Sequence, residues 1–382
     1  MSETEAHPSG VAAAPARPFE STATPNHAAR ATIDSAALAA NLAVARSAAP
    51  DSRIMAVIKA DAYGHGIVPV ARALVAADAF AVARLDEAVA LRKAGLTGPI
   101  VLLEGVFHPE QLALAGQLGL DLVVHCFEQI EMLEAASDSR QFPVWLKIDT
   151  GMHRLGFPVG DATQAAARLK TCKAVAGELR FMTHLACADE QDNAMTRRQI
   201  EAFEGAVAGL PGERSIANSA GLLAWARSRA DWVRPGIMLY GASPFEGSTG
   251  EAMSLRPAMT LSSELIAIKT VAAGGRVGYG STWEAVEDTL IGVVAIGYGD
   301  GYPRRLASGT PVLIGGQPAK LVGRVSMDMI TIDLGHAPEA RLGDEVVLWG
   351  EGLPIERIAQ AAGTIPYELL CGVTRRVTMR VV

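Results

Sequence analysis

Between Ile54 and about Gly241, short apolar segments alternate with longer amphipathic ones. The short segments have the length and β-branched content of buried strands, and the longer ones have the spacing of helices that pack one face on a sheet. Helical patterns such as Leu85–Ala94, Glu128–Ala136 and Thr196–Ala208 separate the strands. Eight strands are predicted, at Ile54–Lys59, Ala79–Arg84, Ile100–Gly105, Asp121–Cys126, Pro143–Asp149, Glu178–Leu185, Arg214–Asn218 and Trp232–Tyr240. Eight such repeats close most simply into a parallel (β/α)8 TIM-type barrel, which we assign to residues 31–258.

From about Met259 onward the pattern changes to strands separated by Gly-rich turns. Strands are predicted at Thr260–Val271, Leu290–Ile296, Pro311–Ile314, Ala319–Ile332, Glu345–Trp349 and Thr374–Val382. Only Ile355–Ala362 has a helical pattern here. We therefore predict a mostly antiparallel C-terminal β domain over residues 259–382. The strand-like Ala31–Ile33 fits either domain.

The remaining composition limits the class of protein. Residues 1–30 are rich in Ala, Pro, Ser and Thr, which predicts a disordered tail, and they lack the basic start and apolar core of a secretory signal. A net charge of -7 without a long Lys/Arg run argues against nucleic acid as a partner, and no apolar run is long enough for a membrane span. The four cysteines form no CxxC pair, so they indicate core residues in a reducing compartment and neither a disulfide framework nor a metal site. We expect a cytoplasmic protein that handles small molecules.

The segment Ile54–Gly66 places a lysine, Lys59, at the end of a buried strand and follows it with a glycine-rich turn. Burial disfavours a charged ammonium group, so such a lysine is either paired or used chemically, for example to form a Schiff base. A lysine whose head reaches solvent explains the segment equally well.

Other polar residues also follow the predicted strands, where a barrel of this type carries its active site. They are Lys147 and Asp149 with Arg154 beyond, His184, Asn218 and Ser219, and Arg234 with Gly236 and Ile237. Loops after strands seven and eight often bind phosphate in such barrels, and Ser219 fits a helix start there. A serine that merely caps a helix fits the same position.

Several motifs together resemble those of alanine racemases, in order and over nearly all of the chain after the tail. In the barrel they are V-I-K-A-D-A-Y-G-H-G (Val57–Gly66), L-K-I-D-T-G-M-H-R-L-G-F (Leu146–Phe157), T-H-L-A-C-A-D-E (Thr183–Glu190), A-N-S-A-G (Ala217–Gly221) and V-R-P-G-I-M-L-Y-G (Val233–Gly241). In the second domain they are V-G-Y-G-S-T-W (Val277–Trp283), I-G-Y-G-D-G-Y (Ile296–Tyr302), G-R-V-S-M-D (Gly323–Asp328) and P-Y-E-L-L-C (Pro366–Cys371). One departure is Ser326, where many family members carry cysteine.

The resemblance implies a pyridoxal 5'-phosphate (PLP) enzyme with two catalytic bases. Lys59 matches the lysine that holds PLP and acts as one base. Tyr279 matches the base on the opposite face, supplied by the partner subunit of a homodimer, and His184 matches the histidine behind it. From the residue alone, a tyrosine packed in the second domain is the simpler interpretation of Tyr279.

Three further basic residues match positions near the cofactor. Arg234 matches the arginine that faces the pyridine nitrogen, although a salt bridge in the barrel wall also fits it. Arg154 matches the arginine that contacts the PLP phenolic oxygen and the substrate carboxylate. Lys147 matches a lysine that is carbamylated in many members and positions that arginine, and its alternative is an ion pair with Asp149.

The remaining matches concern phosphate, substrate and pocket size. Met327 matches a partner-subunit residue at the substrate carboxylate, and Tyr298 and Tyr367 match residues that narrow the entrance. Residues matching the phosphate site are Tyr63, Ser219, Gly236, Ile237 and Tyr367.

We therefore predict a PLP-dependent alanine racemase that interconverts L- and D-alanine as a homodimer and supplies D-alanine for peptidoglycan. Three alternatives use the same barrel. A broader amino-acid racemase differs only in pocket width. A PLP decarboxylase of related fold generally places an acidic residue where Arg234 stands, and a PLP-carrier protein lacks the second domain.

Overall fold

The computed structural model describes residues 28–136 and 140–382. The predicted N-terminal tail lies outside the described residues as far as residue 27. The first ten strands are β1 (Arg30–Ile33), β2 (Arg53–Val57), β3 (Ala79–Val82), β4 (Ile100–Leu102), β5 (Leu120–Val124), β6 (Val144–Asp149), β7 (Phe157–Pro158), β8 (Arg180–Met182), β9 (Arg214–Ser215) and β10 (Trp232–Val233).

Eight of these strands close into a barrel. Parallel pairing runs β2–β3–β4–β5–β6–β8–β9–β10 and returns from β10 to β2, while β7 lies outside the ring against β6. Strands β3, β4 and β5 are buried throughout, as expected where helices cover a parallel sheet. The predicted (β/α)8 barrel is confirmed.

Helices connect the barrel strands and cover their outer face. They are Ser35–Ala48, Ile67–Ala73, Leu85–Lys93, Glu110–Gln117, Phe127–Ala135, Ala162–Thr171, Ala194–Ala206 and Ser219–Ala224. The first begins after Asp34, whose carboxylate accepts the main-chain N–H groups of Ala36 and Ala37 at 2.8 and 2.9 Å. No helix in residues 28–136 or 140–382 combines the length and apolar character needed to cross a membrane.

The second sheet is antiparallel except at its edge. The later strands are β11 (Met259–Val271), β12 (Arg276–Val277), β13 (Trp283–Glu284), β14 (Thr289–Val294), β15 (Pro311–Ile314), β16 (Gln317–Leu321), β17 (Ile330–Asp333), β18 (Glu345–Trp349) and β19 (Thr378–Val381). The sheet pairs in the order β14–β17–β16–β15–β18–β11–β1–β19, and a further β14–β11 pairing closes six of these strands into a ring. Strand β1 pairs antiparallel with β11 and parallel with β19, so the segment Ala31–Ile33 belongs to this sheet. The predicted mostly antiparallel β architecture is confirmed, and one contiguous apolar core joins both sheets.

Several predicted strands were longer than the observed ones, and two of them contain segments that are not strand. The eighth barrel strand ends at Val233, and a 3-10 helix occupies Ile237–Tyr240. The segment Ala319–Ile332 divides into β16 and β17, because Gly323, at φ +74°, turns the chain out of the sheet.

One helix was also missed from the sequence, and one cysteine was wrongly placed in the core. Besides Ile355–Ala362, the second domain contains the helix Pro366–Gly372, which is only two turns long and leaves little periodicity to detect. Cys172 is buried as expected, but Cys371 on that helix is exposed.

Candidate active site

A cavity of about 430 Å³ lies at the C-terminal ends of the barrel strands. The resemblance assigns roles in catalysis or binding to twelve residues, not counting Tyr298 at the entrance. Ten of the twelve line this cavity: Lys59, Tyr63, Lys147, Arg154, His184, Ser219, Arg234, Gly236, Ile237 and Tyr367. A cavity of similar volume, about 400 Å³, lies between the barrel and the second sheet, with Tyr240, Trp349 and Glu356 in its wall, and contains none of the twelve. The structure therefore brings ten of the predicted residues together around one cavity.

The backbone after Lys59 forms a left-handed turn. Strand β2 ends at Val57, and the four non-glycine residues Ala60–Tyr63 have φ values of +51° to +55°. Each such residue costs roughly 1–2 kcal/mol relative to right-handed backbone, so the surroundings must hold the turn. The Asp61 carboxylate accepts the N–H of Ile67 at 2.8 Å, and the Glu87 carboxylate accepts the N–H of Ala60 at 2.6 Å.

His65 supports the same turn from the protein interior. Its Nδ1 lies 2.9 Å from the Tyr63 carbonyl oxygen and 3.1 Å from that of Ala62. Carbonyl oxygens only accept, so Nδ1 carries the proton. The ring is buried and packs on Tyr240, which in turn stacks on Tyr63 with centroids 4.7 Å apart. Burial lowers the pKa of His65 to about 4, so the imidazole is neutral at physiological pH.

Ser219 and Gly236 form one end of the cavity. The Ser219 hydroxyl accepts the N–H of Gly236 at 2.8 Å. It is not the helix cap, because the Asn218 side chain accepts the N–H of Gly221 at 2.9 Å and fills that role. A Cβ on residue 236 would lie 2.6 Å from the Tyr63 hydroxyl oxygen, so this close approach requires glycine.

Arg234 lies buried between three barrel strands. It donates to the Ser215 hydroxyl at 2.6 Å and to the carbonyl oxygens of Ile216 and Thr183. No carboxylate is among these partners, so the salt-bridge interpretation is not supported. Burial lowers the pKa of Arg234 to about 10, which still leaves the guanidinium charged at neutral pH.

His184 is a neutral acceptor of the Arg234 guanidinium. Its Nδ1 lies 3.4 Å from Arg234 Nη2 and must accept, because a guanidinium only donates. Burial, followed by the positive charges of Arg234 and Lys147, holds the pKa of His184 well below its usual value. The proton therefore resides on Nε2.

Lys147 lies among positive charges. Burial, reinforced by Arg234, Arg154 and Lys59, lowers the pKa of Lys147 to about 8. The alternative of an ion pair with Asp149 is not supported, because within the described part of the chain the Asp149 carboxylate bonds to the loop that follows it. It accepts the N–H groups of residues 151 and 153 and lies 3.6 Å from His153 Nδ1.

Two predicted site residues lie outside this cavity. Tyr279 is 69% exposed and Met327 is 52% exposed, both on the second domain. Tyr298, predicted at the entrance, is exposed on the same domain, whereas Tyr367 lines the cavity and burial raises its pKa to about 12. One chain therefore assembles only part of the predicted site.

Sequence reasoning assigned no role to Glu87, His65 or Cys371. Glu87 had a detectable signal, a glutamate at the third position of a helix, which is the capping-box position. His65 stood within the Lys59 motif without a predicted contact. Cys371 lines the cavity because the short helix carrying it packs against the turn after Lys59.

Comparison with known proteins identifies the family. Residues 33–244 match the model of the alanine racemase N-terminal domain, and residues 258–381 match that of the alanine racemase C-terminal domain. An alanine racemase of Nitrosococcus oceani is 55% identical over 349 residues, which is 91% of this chain and 98% of that protein.

Solved structures agree with these sequence matches. The biosynthetic alanine racemase of Pseudomonas aeruginosa superposes with a TM-score of 0.90 at 47% identity, covering 93% of this chain and 99% of that one. The alanine racemase of Bartonella henselae, described with covalently bound pyridoxal phosphate, has a TM-score of 0.84 at 29% identity, with coverage of 93% and 99%. Both the fold and the resemblance seen in the motifs are thereby confirmed, and the chain belongs to the alanine racemase family.

Proposed function

We propose that this protein is a PLP-dependent alanine racemase that interconverts L- and D-alanine. The observation that carries the proposal is the convergence of Lys59, Arg234, Ser219 and Tyr63 on one cavity of about 430 Å³. Such a cavity is within the usual size range of cofactor and small-molecule sites. The family relationship and the PLP bound by the Bartonella henselae relative support the same conclusion.

The residues present fit PLP at both ends. The Ser219 hydroxyl, the main chain of Gly236 and Ile237, and the phenols of Tyr63 and Tyr367 would hold the phosphate, and the glycine leaves room beside Tyr63. The amine of Lys59 would bind the aldehyde carbon. When bound, PLP withdraws electrons from the substrate and makes its Cα proton removable.

Arg234 would face the pyridine nitrogen. Because a guanidinium remains protonated and only donates, it favours an unprotonated ring nitrogen. This limits how much negative charge the ring accepts and favours rapid return of a proton to Cα over side reactions. PLP decarboxylases of related fold generally place an acidic residue at this position, where this chain carries Arg234.

Racemisation needs one base on each face of the substrate. Lys59 would remove or return the proton on one face, and Tyr279 on the other, with His184 placed behind it. Tyr279 is 69% exposed and does not line the cavity of its own chain. We therefore propose a homodimer in which each cavity receives Tyr279 and Met327 from the partner subunit.

Arg154 and Lys147 would bind the substrate end. Arg154 lines the cavity and would hold the alanine carboxylate and the phenolic oxygen of PLP. A pKa of about 8 leaves part of the Lys147 population as free amine near neutral pH, as carbamylation by CO2 requires. The resulting anion would then position Arg154.

The proposed substrate is alanine, with Tyr298 and Tyr367 narrowing the entrance. The test is to incubate purified protein and PLP with L-alanine, L-serine or L-lysine and to separate the enantiomers by chiral chromatography. Rapid conversion of alanine alone supports the proposal. Comparable turnover of lysine favours a broader racemase, and PLP binding without racemisation favours a carrier. We place the enzyme in the cytoplasm, where it would supply D-alanine for peptidoglycan.

A second test addresses the shared site. Lys59→Ala and Tyr279→Ala homodimers should both be inactive, because each lacks one base. Mixing the two variants and allowing their subunits to exchange should restore activity, since each heterodimer contains one cavity with both bases. A crosslinked mixture that cannot exchange subunits is the control, and no recovery despite demonstrated exchange rejects the shared site.

A further inference from the structure

We infer that Glu87 is a positioning residue for Lys59, acting through the main chain of Ala60. The inference rests on the proposed function, because it concerns how the cofactor lysine is held. Glu87 lies in the first turn of the helix Leu85–Lys93, which follows the neighbouring barrel strand β3. It therefore connects the Lys59 turn to the next βα unit of the barrel.

The two carboxylate oxygens of Glu87 have different partners. Oε2 accepts the N–H groups of Ala83 and Arg84, at 2.8 and 3.0 Å, at the start of its own helix. Oε1 accepts the N–H of Ala60 at 2.6 Å, across 27 positions of sequence. Helix capping accounts for Oε2 alone, so the second oxygen is available for a separate task.

The partner of Oε1 is the N–H immediately after Lys59. Ala60 is the first of the four left-handed residues, with φ +55°. An ionised acceptor at this distance forms a strong hydrogen bond, which opposes relaxation of the turn toward right-handed backbone. Other bonds of the turn, such as Asp61 to Ile67, join parts of the same loop and move with it.

A lysine that holds a cofactor must place its amine accurately. The proposed phosphate contacts at Ser219 and Gly236, and Arg234, lie on strands and loops late in the barrel. They would hold the cofactor from a different part of the chain than the Lys59 turn, which itself carries the proposed phosphate contact Tyr63. Small displacements of a reacting group cost rate and affinity. Loss of the Glu87 bond should therefore weaken retention of the cofactor even if the fold survives.

The test compares Glu87→Ala and Glu87→Gln with Asp86→Ala. Asp86 is the adjacent acidic residue in the same helical turn and is exposed, so its removal controls for lost charge at the helix start. Two quantities are measured: amide hydrogen exchange of residues 58–66 in the protein as purified, and the rate at which bound PLP is lost to a carbonyl scavenger. Neither requires turnover.

Glu87→Ala should raise both rates on the order of tenfold, the size expected for one charged hydrogen bond. Glu87→Gln keeps one carbonyl oxygen, which can accept from either Ala60 or the helix start, so both rates should rise by an intermediate amount. If Glu87→Ala does not fold, the glutamine variant still provides the test. Asp86→Ala should match the wild type. A lowered Tm in Glu87→Ala with wild-type exchange and release rates overturns the inference, since helix capping alone predicts that result.

The outcomes separate this inference from the proposed function. If the wild-type protein binds no PLP, the proposed function fails, and hydrogen exchange at residues 58–66 still decides whether Glu87 holds the turn. If the wild type binds PLP and racemises alanine while Glu87→Ala behaves like Asp86→Ala, only the positioning role is rejected.

Discussion

Protonation of His65 should destabilise the protein in mild acid. The buried imidazole donates from Nδ1 to the carbonyls of Ala62 and Tyr63, and burial lowers its pKa from 6.5 to about 4. The unfolded chain therefore takes up a proton at a higher pH than the folded protein does. Because the unfolded state binds more protons in this window, the free energy of unfolding must fall as pH falls from about 6.5 to about 4.

The size of this effect follows from the shift. Lowering of the His65 pKa from 6.5 to about 4 corresponds to a total of about 3 kcal/mol, at about 1.4 kcal/mol per pH unit. By pH 5 the contribution should already be about 2 kcal/mol relative to pH 7. That is a large fraction of the stability of an ordinary domain.

The assay is urea unfolding of wild-type protein and His65→Asn between pH 7 and pH 5. An asparagine side chain retains an N–H donor for the turn but does not titrate in this range, so the difference between the two free energies isolates His65 from all other groups, His184 included. We expect the wild type to lose about 2 kcal/mol more than the variant. His336→Asn, at an exposed position, controls for removal of an imidazole. Parallel curves for wild type and His65→Asn would falsify the reasoning.

Three further predictions follow from local geometry. At fixed dissolved CO2, the initial rate at which Lys147 takes up labelled CO2 should rise about tenfold from pH 7 to pH 9, because the fraction of free amine rises about tenfold around a pKa of about 8. The variant Lys147→Met should take up none. Gly64→Ala should destabilise the protein by more than about 2 kcal/mol in urea unfolding, since φ is +79° and a Cβ would lie 2.2 Å from a main-chain oxygen. Gly95→Ala, at φ +84° with open space, should cost only about 1 kcal/mol. Gly236→Ala should weaken PLP affinity about tenfold in a fluorescence titration, because its methyl group would press on the Tyr63 hydroxyl.

The barrel and the position of the site were predictable because both depend on regular patterns. Buried parallel strands leave continuous apolar runs in the sequence, and polar residues after them share one end of the barrel. That rule placed Lys147, His184, Ser219 and Arg234 around one cavity. It gave no information about Tyr279, which lies on the second domain, exposed and outside the cavity of its own chain.

The conformation after Lys59 was not predictable from its own residues. In the local sequence A-D-A-Y only Asp61 is of a type that adopts left-handed backbone with some ease, and then as a single residue. Glycine, which adopts it freely, comes only afterwards at Gly64. The stabilising contacts come largely from elsewhere: a carboxylate at Glu87, the ring of Tyr240, and the helix Pro366–Gly372 against which the turn packs. Residue types near Lys59 therefore indicate its chemistry, while its position is set by segments as far as about 300 residues away in the sequence, roughly the span of two folded domains. Substitutions of Glu87 or Tyr240 are accordingly expected to alter cofactor retention, although neither residue lines the cavity.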